Sequence, residues 1–145
     1  MTTAYYHILE KLKEHLTNDV LVSTVTNGSL DDIDLKKQSI FPLSHIIINN
    51  ARLGLNAMSF NVSVIAMDIV DISTTENDNE ADVLNTQLAV LNRLAHSMLR
   101  GELFDYQVQM IDEPSCEPFT ERFENYMAGW TMTFDVSIPN SMTIC

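Results

Sequence analysis

Residues 55–72 read LNAMSFNVSVIAMDIVDI, and this stretch decides the fold class. Met58, Phe60, Val62 and Val64 alternate with Ser59, Asn61 and Ser63. Successive side chains of a strand point to opposite faces, so the alternation predicts a strand with one apolar and one wet face. From Ile65 the second face turns apolar as well, through Ile65, Met67 and Ile69. The strand is therefore expected to begin half-exposed and to end covered on both faces, with a helix packed over its second half.

Working outward, a second alternating run lies at 127–138, where Trp130, Met132, Phe134, Val136 and Ile138 interleave with Thr131, Thr133, Asp135 and Ser137. Gly129 before it points to a bulge or a close backbone approach. Residues 45–50 follow Pro42, which belongs at a strand start or an edge because it lacks an N–H. NNARLG (49–54) reads as the connection to the long strand. VLVSTVTNG (20–28) is a β-branched run closed by an Asn-Gly turn signal. FDYQVQMI (104–111) is a further strand candidate. Residues 112–125, with Pro114 and Pro118, read as a long irregular connection.

Two segments carry the helical period instead. In residues 2–16, Tyr5, Ile8, Leu9, Leu12 and Leu16 fall on one stripe. In residues 79–100 the stripe is Leu84, Gln87, Leu88, Leu91, Leu94, Ala95 and Met98, with acids in the first turn and Gly101 just past the end. Short turns and wet faces predict an α+β domain over 1–145, with a largely antiparallel sheet of four or five strands and both helices on one side. Its core is expected to join Trp130, Phe134 and Val136 to Phe60, Val62, Val64, Leu88, Leu91 and Met98.

Charge narrows the function classes. With 20 Asp+Glu against 8 Lys+Arg, the 145 residues carry a formal charge of −12. Binding of nucleic acid through phosphate neutralisation needs clustered cations, and there are none; an anionic membrane surface is disfavoured for the same reason. No apolar run of about 18 residues offers a membrane span. The first residues lack the basic and apolar regions of a signal peptide.

Chemistry is sparse. His7, His15, His45 and His96 show no metal-ligand spacing. Ser44 beside His45 lacks the glycines of a nucleophile elbow. Asp68 and Asp71 read as strand-end acids rather than a catalytic pair. Cys116 and Cys145 are expected to be reduced thiols, and the acids beside Cys116 would raise its pKa rather than activate it. Four glycines leave no phosphate-cradling loop. The expectation is a protein with no catalytic residues, no metal and no cofactor.

The order of segments resembles a known family. HILEKLKEHL (7–16), TNG (26–28), DIDLKKQSIFPLSHIII (32–48), MSFNVSVIAMDIVDIS (58–73), DVLNTQLAVLNRLAHSMLR (82–100) and PFTERFENYMAGWTMTFDVSIPNSMTIC (118–145) together resemble tail-terminator and neck (head–tail connector) ring proteins of tailed bacteriophages, including those of crAss-like phages of Bacteroidetes. The resemblance covers nearly the whole chain. It implies a structural virion protein, present in the host cytoplasm during assembly. Copies would form a homo-oligomeric ring at the neck or tail-tube end, against portal, neck or tail proteins, with DNA passing through the channel. The alternative is a small α+β ligand-binding or adaptor domain with no virion role.

In a ring, the two densest acidic runs, Asp31, Asp32 and Asp34 with Glu76, Asp78, Glu80 and Asp82, are candidates to line the lumen, where like charge keeps DNA from sticking. Their other reading is solvated outer loops. The long segments 73–82 and 112–125 are expected to reach adjacent subunits, with Glu121, Arg122 and Glu124 as the candidate contact residues.

Overall fold

The computed structural model describes residues 4–28, 41–70, 80–104, 108–122 and 126–139. They form an α+β fold, a six-stranded open sheet, mixed but mostly antiparallel, with two helices packed against it. In chain order the elements are α1 (Ala4–Thr17), β1 (Thr24–Asn27), β2 (Leu43–Leu53), β3 (Ala57–Ile69), α2 (Glu80–Leu99), β4 (Gln109–Met110), β5 (Ser115–Arg122) and β6 (Tyr126–Pro139). The sheet runs β1-β2-β3-β6, and β6 pairs along its far side with both β4 and β5.

The alternation in β3 sets the layers. Phe60, Val62, Val64 and Ala66 face the helices, beside Ile46 of β2 and Met132, Phe134 and Val136 of β6. Ile8, Leu9, Leu12 and Leu16 of α1 and Val90, Leu91, Leu94 and Met98 of α2 complete one core. Both helices thus lie on one face, as their stripes require. Trp130 is half-buried against this core, and its indole N–H donates to the Leu84 carbonyl at 2.8 Å.

The opposite face is covered differently from expectation. Where β3 turns apolar on both sides, no described helix lies over the second side. Ile65 and Met67 pack there with Phe41, Leu43 and Met127, and Ile47, Ile69 and Phe119 border them. Further along, that face is a polar ladder. Asn49 Nδ2 donates to Asn61 Oδ1 and Ser63 Oγ, each at 2.8 Å; Asn61 Nδ2 donates to Asp135 Oδ1 at 3.0 Å; Ser63 and Thr133 hydroxyls lie 3.3 Å apart.

Other details depart from the periodicity. Within the expected irregular segment 112–125, residues 115–122 form a strand instead: β5 pairs with β6 from Ser115↔Thr133 to Arg122↔Tyr126 and raises the strand count to six. Among the described residues of the candidate strand 104–111, Gln109–Met110 form β4. Residues 49–53 continue β2 rather than linking it to β3, past a bulge at Asn49 where the register steps from Ile48↔Val62 to Asn50↔Asn61. Strand β1 lies parallel to β2. On α2, Leu88 is 37% exposed, whereas Val83, Gln87, Val90, Leu91, Leu94 and Met98 are buried. Tyr5 is also exposed.

Two glycines hold special positions. Gly101, with φ +74°, closes α2: its N–H bonds to the Met98 carbonyl and that of Glu102 to Ser97, the 6→1 and 5→2 pair of a Schellman motif. Gly129 lies opposite Met67, with its Cα packed close against the β3 backbone. A Cβ there would fall on the Ala66 carbonyl oxygen and 2.8 Å from the Met67 Cα, so the expected close approach is present.

Candidate assembly surfaces

The sheet presents two unlike flanks. On one, β1 is a four-residue strand whose position is fixed by His45. The His45 ring is fully buried, with Nδ1 2.6 Å from the Thr26 hydroxyl and Nε2 2.7 Å from the Gly28 carbonyl. A carbonyl only accepts, so Nε2 carries the hydrogen, and in the neutral ring Nδ1 accepts from Thr26. The side chain therefore clips the TNG turn to β2. Ser44, its neighbour, points to the opposite face of the strand, so the two form no nucleophile–base pair.

Burial lowers the pKa of His45, against the bond to Gly28, which raises it. His15 is lowered too, first by burial, with Asp19 opposing and Arg93 assisting. The unfolded chain then takes up protons before the folded one as pH falls through about 6.5, so stability declines below that pH. The slope is at most about 1.4 kcal/mol per pH unit for each histidine. Urea unfolding at pH 7.5 and pH 5.5 should show this loss, and His45→Gln should make it shallower, with the share of His15 left. An equal pH dependence in that variant would contradict the clip as its source.

The other flank is β5. Its eight residues pair with β6 on one side, and among the described residues no strand pairs with the other. Pro118 sits at mid-strand, which an edge tolerates and a central strand does not. Charged side chains and proline on an edge discourage indiscriminate strand addition, and Glu117 and Pro118 supply both here.

Between the flanks, the β2–β3 hairpin runs out beyond the core. Residues 49–57 are all exposed, Leu53 at 76% and Leu55 at 87%. The Gly54 N–H bonds back to the Ala57 carbonyl and tightens the tip. Arg52, also exposed, lines a shallow cavity with Asn61, Asp112 and Asp135 and makes no ion pair among the described residues.

Two further hollows flank α2. An apolar groove of about 460 Å³ lies between α2 and the start of β5, lined by Leu88, Ala95, Leu99, Pro114, Cys116 and Met132 among others, with Glu113 in its wall. Cys116 is a free thiol that burial pushes up in pKa, which keeps it protonated. A polar cleft of about 570 Å³ lies between the end of α1 and α2, lined by Lys11, His15, Asp19, Arg93, Ser97 and Glu102 among others. There Arg93 donates from Nε and Nη2 to both Asp19 oxygens at 2.8 Å, and the Asp19 side chain is 3% exposed. Burial raises the Asp19 pKa, but the Arg93 bonds and the Leu21 N–H outweigh it and hold the carboxyl below its usual range. His15 Nε2 is buried without a partner.

The residues singled out by sequence are placed unevenly. Asp31, Asp32, Asp34, Glu76, Asp78 and Glu124 lie outside the described residues, as do Asp71 and Cys145. Glu80 and Asp82 occupy the first turn of α2, where the helix dipole favours acids. Glu121 and Arg122 end β5, opposite Met127 and Tyr126, on a strand rather than a loop. Asp68 is half-buried, and burial raises its pKa against the bond from the Ile69 N–H. Sequence reading missed the hairpin tip, the groove and the Asp19–Arg93 clamp. Its available signal was LGL (53–55), apolar residues around a glycine in a segment otherwise read as a connection.

No protein-family model matches the chain, and no curated protein sequence matches it.

Proposed function

We propose that the protein is a structural virion subunit of a tailed phage, which assembles head-to-tail with copies of itself into a ring at the neck or tail-tube end. The observation that carries this reading is the pair of unlike flanks. One is a short strand parallel to its neighbour, and the other is an eight-residue antiparallel edge. Unlike surfaces make heterologous contacts, and these close into rings where the rotation per subunit allows. The place in the virion, the contact with portal, neck or tail proteins and the passage of DNA come from the resemblance described above. In such a ring the excess of carboxylates favours DNA sliding without a binding well.

Electron microscopy and native mass spectrometry of the purified protein should give rings of one symmetry, or rings that form on addition of tail or head particles. Mass spectrometry of purified virions should find the chain among their proteins. Its absence from virions would overturn the virion role, and particles that leave it monomeric would overturn the ring.

The cleft beside His15 favours a second reading, a small-ligand or adaptor domain. Lys11→Glu separates the two. Intact assembly and infectivity support the ring reading, and lost function with intact rings supports the other.

A further inference from the structure

We infer that the β2–β3 hairpin tip of one copy docks into the groove between α2 and β5 of the next, an inference that rests on the ring reading and names its subunit contact. The tip offers two large apolar side chains, Leu53 and Leu55, held out in solvent by a bulged, glycine-closed hairpin. Isolated exposed leucines are ordinary, but two on one projection form an anchor that nothing among the described residues covers. The groove is its counterpart. Its volume is many times the roughly 30 Å³ share of a water. Exposed Leu88 and Leu99 border it, and Cys116 and Met132 form its floor.

Charge says what fills it. Residues 43–67 hold no Asp or Glu, and Arg52 is the one Lys or Arg between Lys37 and Arg93. The hairpin is thus a weakly cationic arm on a chain of charge −12. Arg52 shares a cavity with Asp112 and Asp135 of its own chain but forms no ion pair among the described residues, and the acidic surface of a second copy complements it. Exposed Glu113 in the groove has no ion pair among the described residues and stands where Arg52 would arrive beside the leucines. The hairpin belongs to the β1–β2–β3 side of the sheet and the groove to the β5 side. One contact therefore joins opposite flanks of successive copies. It also leaves the guarded β5 edge unpaired, as Pro118 and Glu117 require.

The test uses the full chain carrying Cys145→Ser, so that Cys116 is the sole native thiol. Adding Leu55→Cys and oxidising at high protein concentration should link position 55 of one chain to Cys116 of another, identified by peptide mass spectrometry. In the Cys145→Ser chain without Leu55→Cys, Arg52→Glu and Glu113→Arg should each weaken self-association at least about tenfold, and together restore it. Rings that form without this link, and that ignore both charge reversals, overturn the docking and leave the ring reading standing. Linked dimers that never close into rings uphold the docking and overturn the ring. A groove filled instead by residues 140–145 of its own chain would give the link only after those residues are deleted, and a groove reserved for a different protein would give no link at all; either result overturns the proposal.

Discussion

Phe134→Ala should lower the unfolding free energy by about 3–5 kcal/mol. Phe134 is 3% exposed in the middle of β6, paired with Val62 of β3 and enclosed by the cluster that joins both helices to the sheet. Deleting the ring removes its transfer free energy and leaves a cavity, because its neighbours on two strands are fixed by backbone bonds and cannot collapse inward. The midpoint of urea unfolding should fall while the slope, which tracks the surface exposed, stays constant. An unchanged midpoint would mean that Phe134 is not a core residue.

Gly129→Ala acts through the backbone instead. The methyl group would overlap the Ala66 carbonyl oxygen and lie 2.9 Å from its carbon. No side-chain rotation relieves that overlap; β6 must move away from β3. Both strands are bonded along thirteen residue pairs, from Ala57↔Pro139 to Ile69↔Met127, so the shift strains their ladder. On its other side Gly129 pairs with Phe119 of β5, which would have to follow. The expected loss is about 3 kcal/mol, at the upper end of ordinary overpacking. Differential scanning calorimetry reads it as a lower Tm, and an unaltered Tm would show that the two strands do not approach as described.

What the sequence shows of this fold depends on whether an element's own residues carry its reason for existing. Strands β3 and β6 are half-buried along most of their length, so their alternation is visible. Helices α1 and α2 show their apolar stripes for the same reason. Strand β5 carries no such signal: SCEPFTER has three charged residues and a proline besides, and it is a strand because β6 offers it a bonding edge. The outer half of β2 extends beyond the core, where no apolar residue is needed, and so reads as a connection. On α2 the period is right but the stripe is turned. Gln87 of the expected stripe is buried, 1% exposed, but Leu88 beside it is not, and Val83 and Val90, outside the expected stripe, take up the buried face. Of the surfaces, acidic runs are conspicuous in sequence, yet the hairpin tip and groove become features only once the topology places them on opposite sides.

The indole of Trp130 gives the fold an optical consequence. It is the single tryptophan in the chain, so the tryptophan emission comes from one place. That place is the seam between β6 and α2, where the ring is half-buried and its N–H is held by the Leu84 carbonyl. An event that lifts the helix from the sheet frees this N–H to water and shifts the emission to the red, while an event confined to the hairpin leaves the colour unchanged. The protein thus carries an intrinsic, label-free gauge that tells whether assembly disturbs its interior or engages its periphery alone.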